Sequence, residues 1–351
     1  MRGRDPHPAI CPSDSLPKPS ADAEVRSLAD AVVAGDRRAL ARAITLIEST
    51  RADHQDRAAL LIARLLPRTG KSIRLGVTGV PGVGKSTFIE AFGLHVIGQG
   101  HRVAVLAVDP SSRISGGSIL GDKTRMDKLA RAREAYIRPS PAAGTLGGVA
   151  RRTREAMLVC EAAGFDVVVV ETVGVGQSET AVADMVDMFL LLLMPAGGDE
   201  LQGIKRGIVE LADAIIVNKA DGELAAAAER AAADYQAALH LLRPVVPTWQ
   251  PPVLQCSALE GRGIDRIWDT VTAFRRVQGE GLKRRRADQS RAWLWSEVGE
   301  SLMAALRAHP RAARRIAGME RDVTAGKLAP HAAARELLSI FLGERPPSDA
   351  V

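Results

Sequence analysis

Eight consecutive residues, Gly79-Val80-Pro81-Gly82-Val83-Gly84-Lys85-Ser86, restrict the folds open to this chain more than any other segment. They satisfy the pattern G-x-x-x-x-G-K-[ST] at every fixed position. They also lie between an apolar, strand-like run at 73–78 and a stretch with helical character. Glycines let successive backbone N–H groups turn towards phosphate oxygens without a Cβ in the way, and the helix that follows adds the partial positive charge of its N-terminus. A strand, such a loop and a helix in that order bind a nucleoside triphosphate. Lys85 is then the cation for the β- and γ-phosphates, Ser86 a ligand of Mg²⁺, and Thr87 the next residue of the nucleotide-binding set.

The rest of the chain has to supply a sheet for that loop. Short apolar runs at 73–78, 103–108, 136–137, 167–170, 188–194, 214–217 and 253–256 alternate with helical stretches. Alternation of this kind predicts a mainly parallel sheet with helices on both faces, an α/β P-loop NTPase fold. Aromatic residues are only 3% of the chain, so Val, Leu, Ile and Ala must build its core. The run at 188–194, Met-Phe-Leu-Leu-Leu-Leu-Met, is too short to cross a bilayer and suits a buried strand. No membrane span is expected.

Helices are predicted on either side of the sheet. Leu28, Val32 and Val33 recur at helical spacing, Gly35-Asp36 interrupts, and Leu40, Ala43, Ile44 and Ile47 resume the pattern. After about residue 276 the strand signals cease. Lys283-Arg284-Arg285-Arg286 then reads as a solvated linker ahead of a helix that places Trp295, Val298, Leu302 and Ala305 on one face, and a further helix is expected to begin near Pro330. The expected divisions are a leader at 1–20, an N-terminal helical segment at 21–70, the nucleotide domain at 71–276 and a C-terminal helical arm at 277–351. The arm's apolar face asks for a partner, either the chain's own domain or another subunit, and a homodimer through the arm is the leading expectation.

Charge and cysteines narrow the class further. The 47 basic residues stand against 41 acidic ones spread along the chain, a balance that fits an anionic ligand and a solvated surface better than nucleic acid. Cys11, Cys160 and Cys256 lie far apart with no metal-binding spacing, which reads as reduced thiols in a cytoplasmic protein, and the first twenty residues lack the apolar core of a secretory signal.

Base specificity follows from Asn218-Lys219-Ala220-Asp221, an N-K-x-D sequence directly after the strand at 214–217. Asp221 can accept hydrogen bonds from guanine N1–H and its exocyclic amine, a donor pair adenine lacks. Charge-assisted bonds of this type contribute roughly 1.5–3 kcal/mol each. Lys219 would lie along the base plane, and Ser257-Ala258-Leu259 would offer backbone contacts to the guanine oxygen. Around the phosphates, Glu171 occupies the place of the usual switch aspartate in Glu171-Thr172-Val173-Gly174, with Gly174 as the donor to the γ-phosphate. Asp109 ends the strand at 103–108, and Asp122 follows a Gly- and Ser-rich loop. Each aspartate alone also reads as a loop cap. Together with Glu171 and Ser86 they make an acidic cage for Mg²⁺.

Beyond these motifs, three blocks carry a family resemblance. They are Val105-Leu106-Ala107-Val108-Asp109-Pro110-Ser111-Ser112 with Gly116-Gly117-Ser118-Ile119-Leu120-Gly121-Asp122-Lys123-Thr124-Arg125-Met126; Ile137-Arg138-Pro139-Ser140-Pro141 with Gly144-Thr145-Leu146-Gly147-Gly148-Val149-Ala150-Arg151; and Val169-Val170-Glu171-Thr172-Val173-Gly174-Val175-Gly176-Gln177-Ser178-Glu179. From about Leu28 to the end of the helical arm the chain resembles the MeaB/ArgK family of GTPases, which includes the methylmalonic aciduria type A protein. The resemblance implies GTP hydrolysed to GDP with Mg²⁺. It also implies a partner, an adenosylcobalamin-dependent acyl-CoA mutase of the methylmalonyl-CoA type, whose cofactor delivery the GTPase gates and which it protects. It associates the phosphate loop, Asp109, Asp122 and Glu171 with nucleotide and metal, and it implies a mobile loop from Pro195 to Lys205. Lys205 is then a candidate for charge delivered to the transferring phosphate, and it reads equally as a surface lysine. Lys85, Glu171 and Lys205 are thus the candidate catalytic groups. Arg113-Ile114 departs from the polar pair expected at its place, which bears on switch contacts and not on nucleotide binding.

No residue in the sequence declares itself a general base. The alternatives are a protein kinase or ATPase linked to amino-acid transport, against which Asp221 argues; a nickel-delivery GTPase, for which the seven histidines show no grouping; and a nucleotide-gated interaction module with incidental hydrolysis.

Overall fold

The computed structural model describes residues 21–109, 126–141, 146–172, 178–195, 206–240 and 248–343. Asp122, Gly174, Lys205 and the Arg113-Ile114 pair fall outside them, as does most of the 195–205 loop. By its contacts the chain divides into two units, residues 1–72 with 155–165, and residues 73–154 with 166–351. This division differs from the boundaries expected from sequence in two places: 155–165 groups with the N-terminal helices, and the C-terminal arm groups with the sheet.

In the first unit, α1 (Ala21–Val33), α2 (Arg37–Glu48) and α3 (Ala52–Leu65) bury one face each. The Gly35-Asp36 break works as read: Asp36 caps α2, its Oδ1 accepting from Ala39 N–H at 2.8 Å. Leu40, Ala43, Ile44 and Ile47 are all buried, as their spacing predicts. On α1 the buried face is Val25, Ala29 and Val32, while Val33, expected inside, is exposed. The i, i+4, i+7 row turns Val33 away from the packed side.

The second unit is built on seven strands: β1 (Ile73–Gly79), β2 (Val103–Asp109), β3 (Ala135–Pro141), β4 (Val167–Thr172), β5 (Met188–Leu193), β6 (Ala214–Val217) and β7 (Val253–Gln255). Their order is β3-β2-β4-β1-β5-β6-β7, and every pairing is parallel. Alternate residues of β5 show why both faces are covered. Met188, Leu190 and Leu192 join the large core with Phe88, Phe92 and Trp268, whereas Leu191 and Leu193 join Ile215, Tyr235 and Leu239 in another cluster. The few aromatic residues are concentrated: Phe88 stacks on Phe92 at 5.7 Å, and Trp268 meets Phe92 edge-on at 6.0 Å. Only 136–137 of β3 is visible as strand in the sequence. The strand continues through Arg138-Pro139-Ser140-Pro141 because it is the edge of the sheet, where a proline costs no ladder bond on the outer side.

Helices connect the strands: α4 (Lys85–Gly98), α5 (Asp127–Arg131), α6 (Leu146–Ala162), α7 (Ser178–Ala183), α8 (Arg206–Leu211), α9 (Ala225–His240) and α10 (Ile264–Gln278). The arm comprises α11 (Glu280–Ala308), α12 (Pro310–Thr324) and α13 (Pro330–Leu342), the last beginning at the proline that the sequence marks. None of the described helices is long and apolar enough to cross a membrane.

The basic tetrad corrects one expectation. It is not a solvated linker: it lies in the first turns of α11, and two of its four members are clamped to the sheet. Arg286 forms a two-pronged pair with Asp187, Nε to Oδ1 at 2.7 Å and a terminal nitrogen to Oδ2 at 2.6 Å. Arg285 reaches both oxygens of Asp213 at 3.3 Å. Asp187 and Asp213 are themselves buried and accept from the backbone N–H groups of Arg74 and Phe189, each at 2.8 Å. Both carboxylates precede a strand, so the clamp holds α11 to the N-terminal ends of β5 and β6. Sequence spacing could not expose it, because the partners lie about 70 to 100 residues upstream. Arg286→Ala, which strands the Asp187 carboxylate, is expected to destabilise the protein by about 3 kcal/mol in chemical denaturation followed by tryptophan fluorescence. Lys283→Ala, at a fully solvated pair with Glu280, should leave the same curve unchanged.

Candidate nucleotide site

The phosphate loop begins where β1 ends, between β4 and β5 in the middle of the sheet. Two of its glycines are structurally required. Gly79 has φ 155°, and a Cβ there would lie 2.5 Å from the Leu192 carbonyl oxygen; Gly84 has φ 91°, and a Cβ there would lie 2.9 Å from Asn218 Nδ2. Lys85 opens α4 with its amine folded into the loop, donating to the carbonyl oxygens of Gly79 at 2.7 Å and Val80 at 3.3 Å. Burial pulls the Lys85 amine below its ordinary pKa, and the negative charges of Glu171 and Glu179 oppose the shift. Ser86, one residue on, donates from Oγ to Glu171 Oε1 at 3.3 Å.

Glu171 reaches that position through the strand register, since it pairs with Val77 across β1 and β4. The next residue, Thr172, fixes the strand ends by donating to Thr78 Oγ1 at 2.8 Å. Asp109 closes β2 on the far side of β4, at the same carboxyl edge, one residue beyond the Val108–Thr172 pair; its side chain lies outside the described set. Of the residues expected in an acidic cage, Ser86 and Glu171 are the two whose side chains the structure describes, and they are in hydrogen-bond contact.

A second cluster forms at the ends of β6 and β7. Asn218 is 1% exposed and bridges two loops: Nδ2 donates to Val83 O at 2.9 Å, while Oδ1 accepts from Ala258 N–H at 3.1 Å and from Cys256 Sγ at 3.4 Å. Lys219 takes a left-handed backbone, φ 58°, which sends its stem across the phosphate loop to Gly82 O at 2.7 Å. Asp221 accepts from Ser257 Oγ, and that same oxygen accepts from Glu260 N–H at 3.1 Å. Ser257 and Arg262 exchange backbone hydrogen bonds, and the Arg262 side chain donates to Ala220 O at 2.8 Å. Ala258 is buried behind the loop; Leu259 is 82% exposed.

Sequence reading thus assembled the loop residues 79–86, Glu171, Asn218, Lys219, Asp221, Ser257 and Ala258 in one region. Thr87 stands on the first turn of α4 and is exposed, as is Pro81. Two residues escaped the reading. Cys256 is a buried donor to Asn218, with a thiol that burial, aided by the Asp221 charge, pushes up to about 12, so it stays protonated. Glu179 is 3% exposed on α7 and acts electrostatically on Lys85. Its place just after the switch-like Gly174 was the available signal, but an acid in a helical first turn reads equally as a charge on the helix dipole.

Residues 40–311 match the family model described as Methylmalonyl Co-A mutase-associated GTPase MeaB. A putative GTPase of Caulobacter vibrioides is 58% identical over 91% of this chain and 98% of its own length. The methylmalonic aciduria type A homolog of Mus musculus is 51% identical over 88% of this chain and 78% of its own. A solved structure described as a LAO/AO transport system kinase superposes with a TM-score of 0.72 at 42% identity, covering 91% of this chain and 98% of that one. With Asp221 accepting from Ser257 Oγ at the end of β6, Asp221→Asn is expected to weaken GTP binding by about 10- to 100-fold, checked by competition of GTP against xanthosine triphosphate for a fluorescent nucleotide. An unchanged guanine preference would place the base pocket elsewhere. The phosphate loop, the N-K-x-D cluster and the match over 40–311 agree, and the chain belongs to the MeaB family and is an enzyme that hydrolyses GTP.

Proposed function

We propose that this GTPase is a chaperone of an adenosylcobalamin-dependent acyl-CoA mutase of the methylmalonyl-CoA type, gating cofactor delivery and protecting the partner from inactivation in the cytoplasm. The observation that carries the reading is that similarity to a relative named for methylmalonic aciduria extends over most of the chain and is not confined to the nucleotide motifs. A GTPase of this kind has little covalent chemistry to do and works by positioning and charge.

Lys85 keeps its amine at Gly79 and Val80 and has a third donor for the β- and γ-phosphates. Asn218 fixes the loop against the base-recognition turn, Lys219 supports the base, and Asp221 selects guanine, with Ser257, Ala258 and Leu259 closing the pocket. The site fits Mg²⁺, because Ser86 and Glu171 bring a hydroxyl and a carboxylate together at the end of the loop, the hard oxygen donors that this ion prefers. Ser86 and Glu171 would hold it with Asp109 and Asp122, and when bound it would supply positive charge against the phosphates. Gly174, as a donor to the γ-phosphate, and Lys205, as positive charge for the transferring phosphate, complete the proposed set.

The partner reading extends to a second copy of the chain. On α11, Leu294, Trp295, Val298, Leu302 and Met303 are all exposed, a row of large apolar groups on a helix already anchored at its other end by Arg285 and Arg286. Trp295→Asp with Leu302→Asp is expected to convert a dimer to a monomer in sedimentation equilibrium while GTP hydrolysis continues. A wild-type monomer at micromolar concentration would remove the dimer from the proposal.

The chaperone reading is tested by mixing the protein with methylmalonyl-CoA mutase and measuring complex formation and the GTPase rate with and without it. The expected result is a nucleotide-dependent complex and an accelerated rate. Absence of both across candidate mutases would overturn the assignment and leave the GTPase activity intact.

A further inference from the structure

Glu179 is a buried carboxylate with no assigned task. It is 3% exposed, and its Oε2 is shielded from solvent without accepting a hydrogen bond. Leaving such an acceptor unfilled is costly, the more so when the group is charged. The residue does not owe its burial to a loose loop. Its helix, α7, is seated on the centre of the sheet, where a Cβ on Gly76 of β1 would lie 2.7 Å from Phe189 Cδ2 on β5 and 3.0 Å from Val182 Cγ1 on α7. That seat fixes Glu179 within electrostatic reach of Lys85, the cation of the phosphate loop.

The other groups nearby are engaged. Lys85 can only donate, and Glu171 accepts from Ser86 on the metal side. Hydrolysis needs one more function, an acceptor that orients the attacking water against the γ-phosphate. We propose that Glu179 supplies it, with Oε2 accepting a hydrogen bond from that water and holding it in line for attack. The water oxygen bonds to the γ-phosphorus as the bond from phosphorus to the β–γ bridging oxygen breaks, and the electron pair of that bond leaves with GDP. Both water protons end on the released phosphate, giving GDP and dihydrogen phosphate. Glu179 is unchanged at the end of the cycle. The proposal rests on GTP hydrolysis by the chain itself and is independent of any mutase.

The test compares the full-length wild type with Glu179→Gln and Glu179→Asp, without a mutase present. Single-turnover hydrolysis of γ-labelled GTP and the affinity for a non-hydrolysable GTP analogue are measured for each, with thermal melting as the check on folding. Glu179→Gln is expected to slow single turnover by about 100-fold while analogue affinity changes less than about threefold, and Glu179→Asp to recover part of the rate. A wild-type rate in Glu179→Gln overturns the proposal, as does a loss of affinity as large as the loss of rate, which would mark a structural role. If Glu179→Gln does not fold, Glu179→Asp, which keeps the charge, is judged by the same two measurements: a slower turnover at unchanged affinity supports the proposal, and any other result overturns it.

Discussion

Asn218 joins the two halves of the nucleotide site through one side chain. Its amide donates to Val83 in the phosphate loop and accepts from Ala258 in the base-recognition turn, both in the buried interior. Each bond is of ordinary length, and each would leave a desolvated polar group if broken. The constraint reaches further than these contacts. Gly84 must be glycine partly because Asn218 occupies the space a Cβ would need, and Cys256 is kept as a neutral donor to the same amide oxygen. The phosphate loop and the turn after β7 therefore share a single buried support.

The sheet separates two kinds of buried charge. At its carboxyl edge Lys85 lies within electrostatic reach of Glu171 and Glu179, and Glu179 Oε2 is left without a hydrogen bond. At its opposite edge Asp187 and Asp213 are filled by backbone N–H groups and by Arg286 and Arg285. The second set is closed. Its effect is to attach α11 to the starts of β5 and β6, the strands that lead respectively to the 195–205 loop and to Asn218. The arm and the residues that follow the carboxyl ends of β5 and β6 are thus attached to the same two strands.

Much of this was legible from residue order because the relevant physics is local. The loop 79–86, the strand alternation and N-K-A-D each depend on neighbours within a few positions, and β4, with four consecutive valines, is buried on both faces as an unbroken apolar run implies. The reading weakened where an element depends on distant support. On α1 it named Leu28, Val32 and Val33 where the packing buries Val25, Ala29 and Val32, and in β3 it ended at Ile137, two residues before the first proline, although an edge position tolerates both prolines.

The sequence by itself determined the ligand class, the guanine preference and the α/β fold, because these follow from backbone geometry and donor patterns encoded in contiguous residues. Only the tertiary structure decided that Arg285 and Arg286 are a clamp and not a linker, that Asn218 spans two loops, and that Glu179 is buried within electrostatic reach of Lys85. Each of these pairs groups that are far apart along the chain. Their energies depend on desolvation and on a partner's approach to within a few ångströms, and neither quantity exists until the parallel sheet brings the strand ends together.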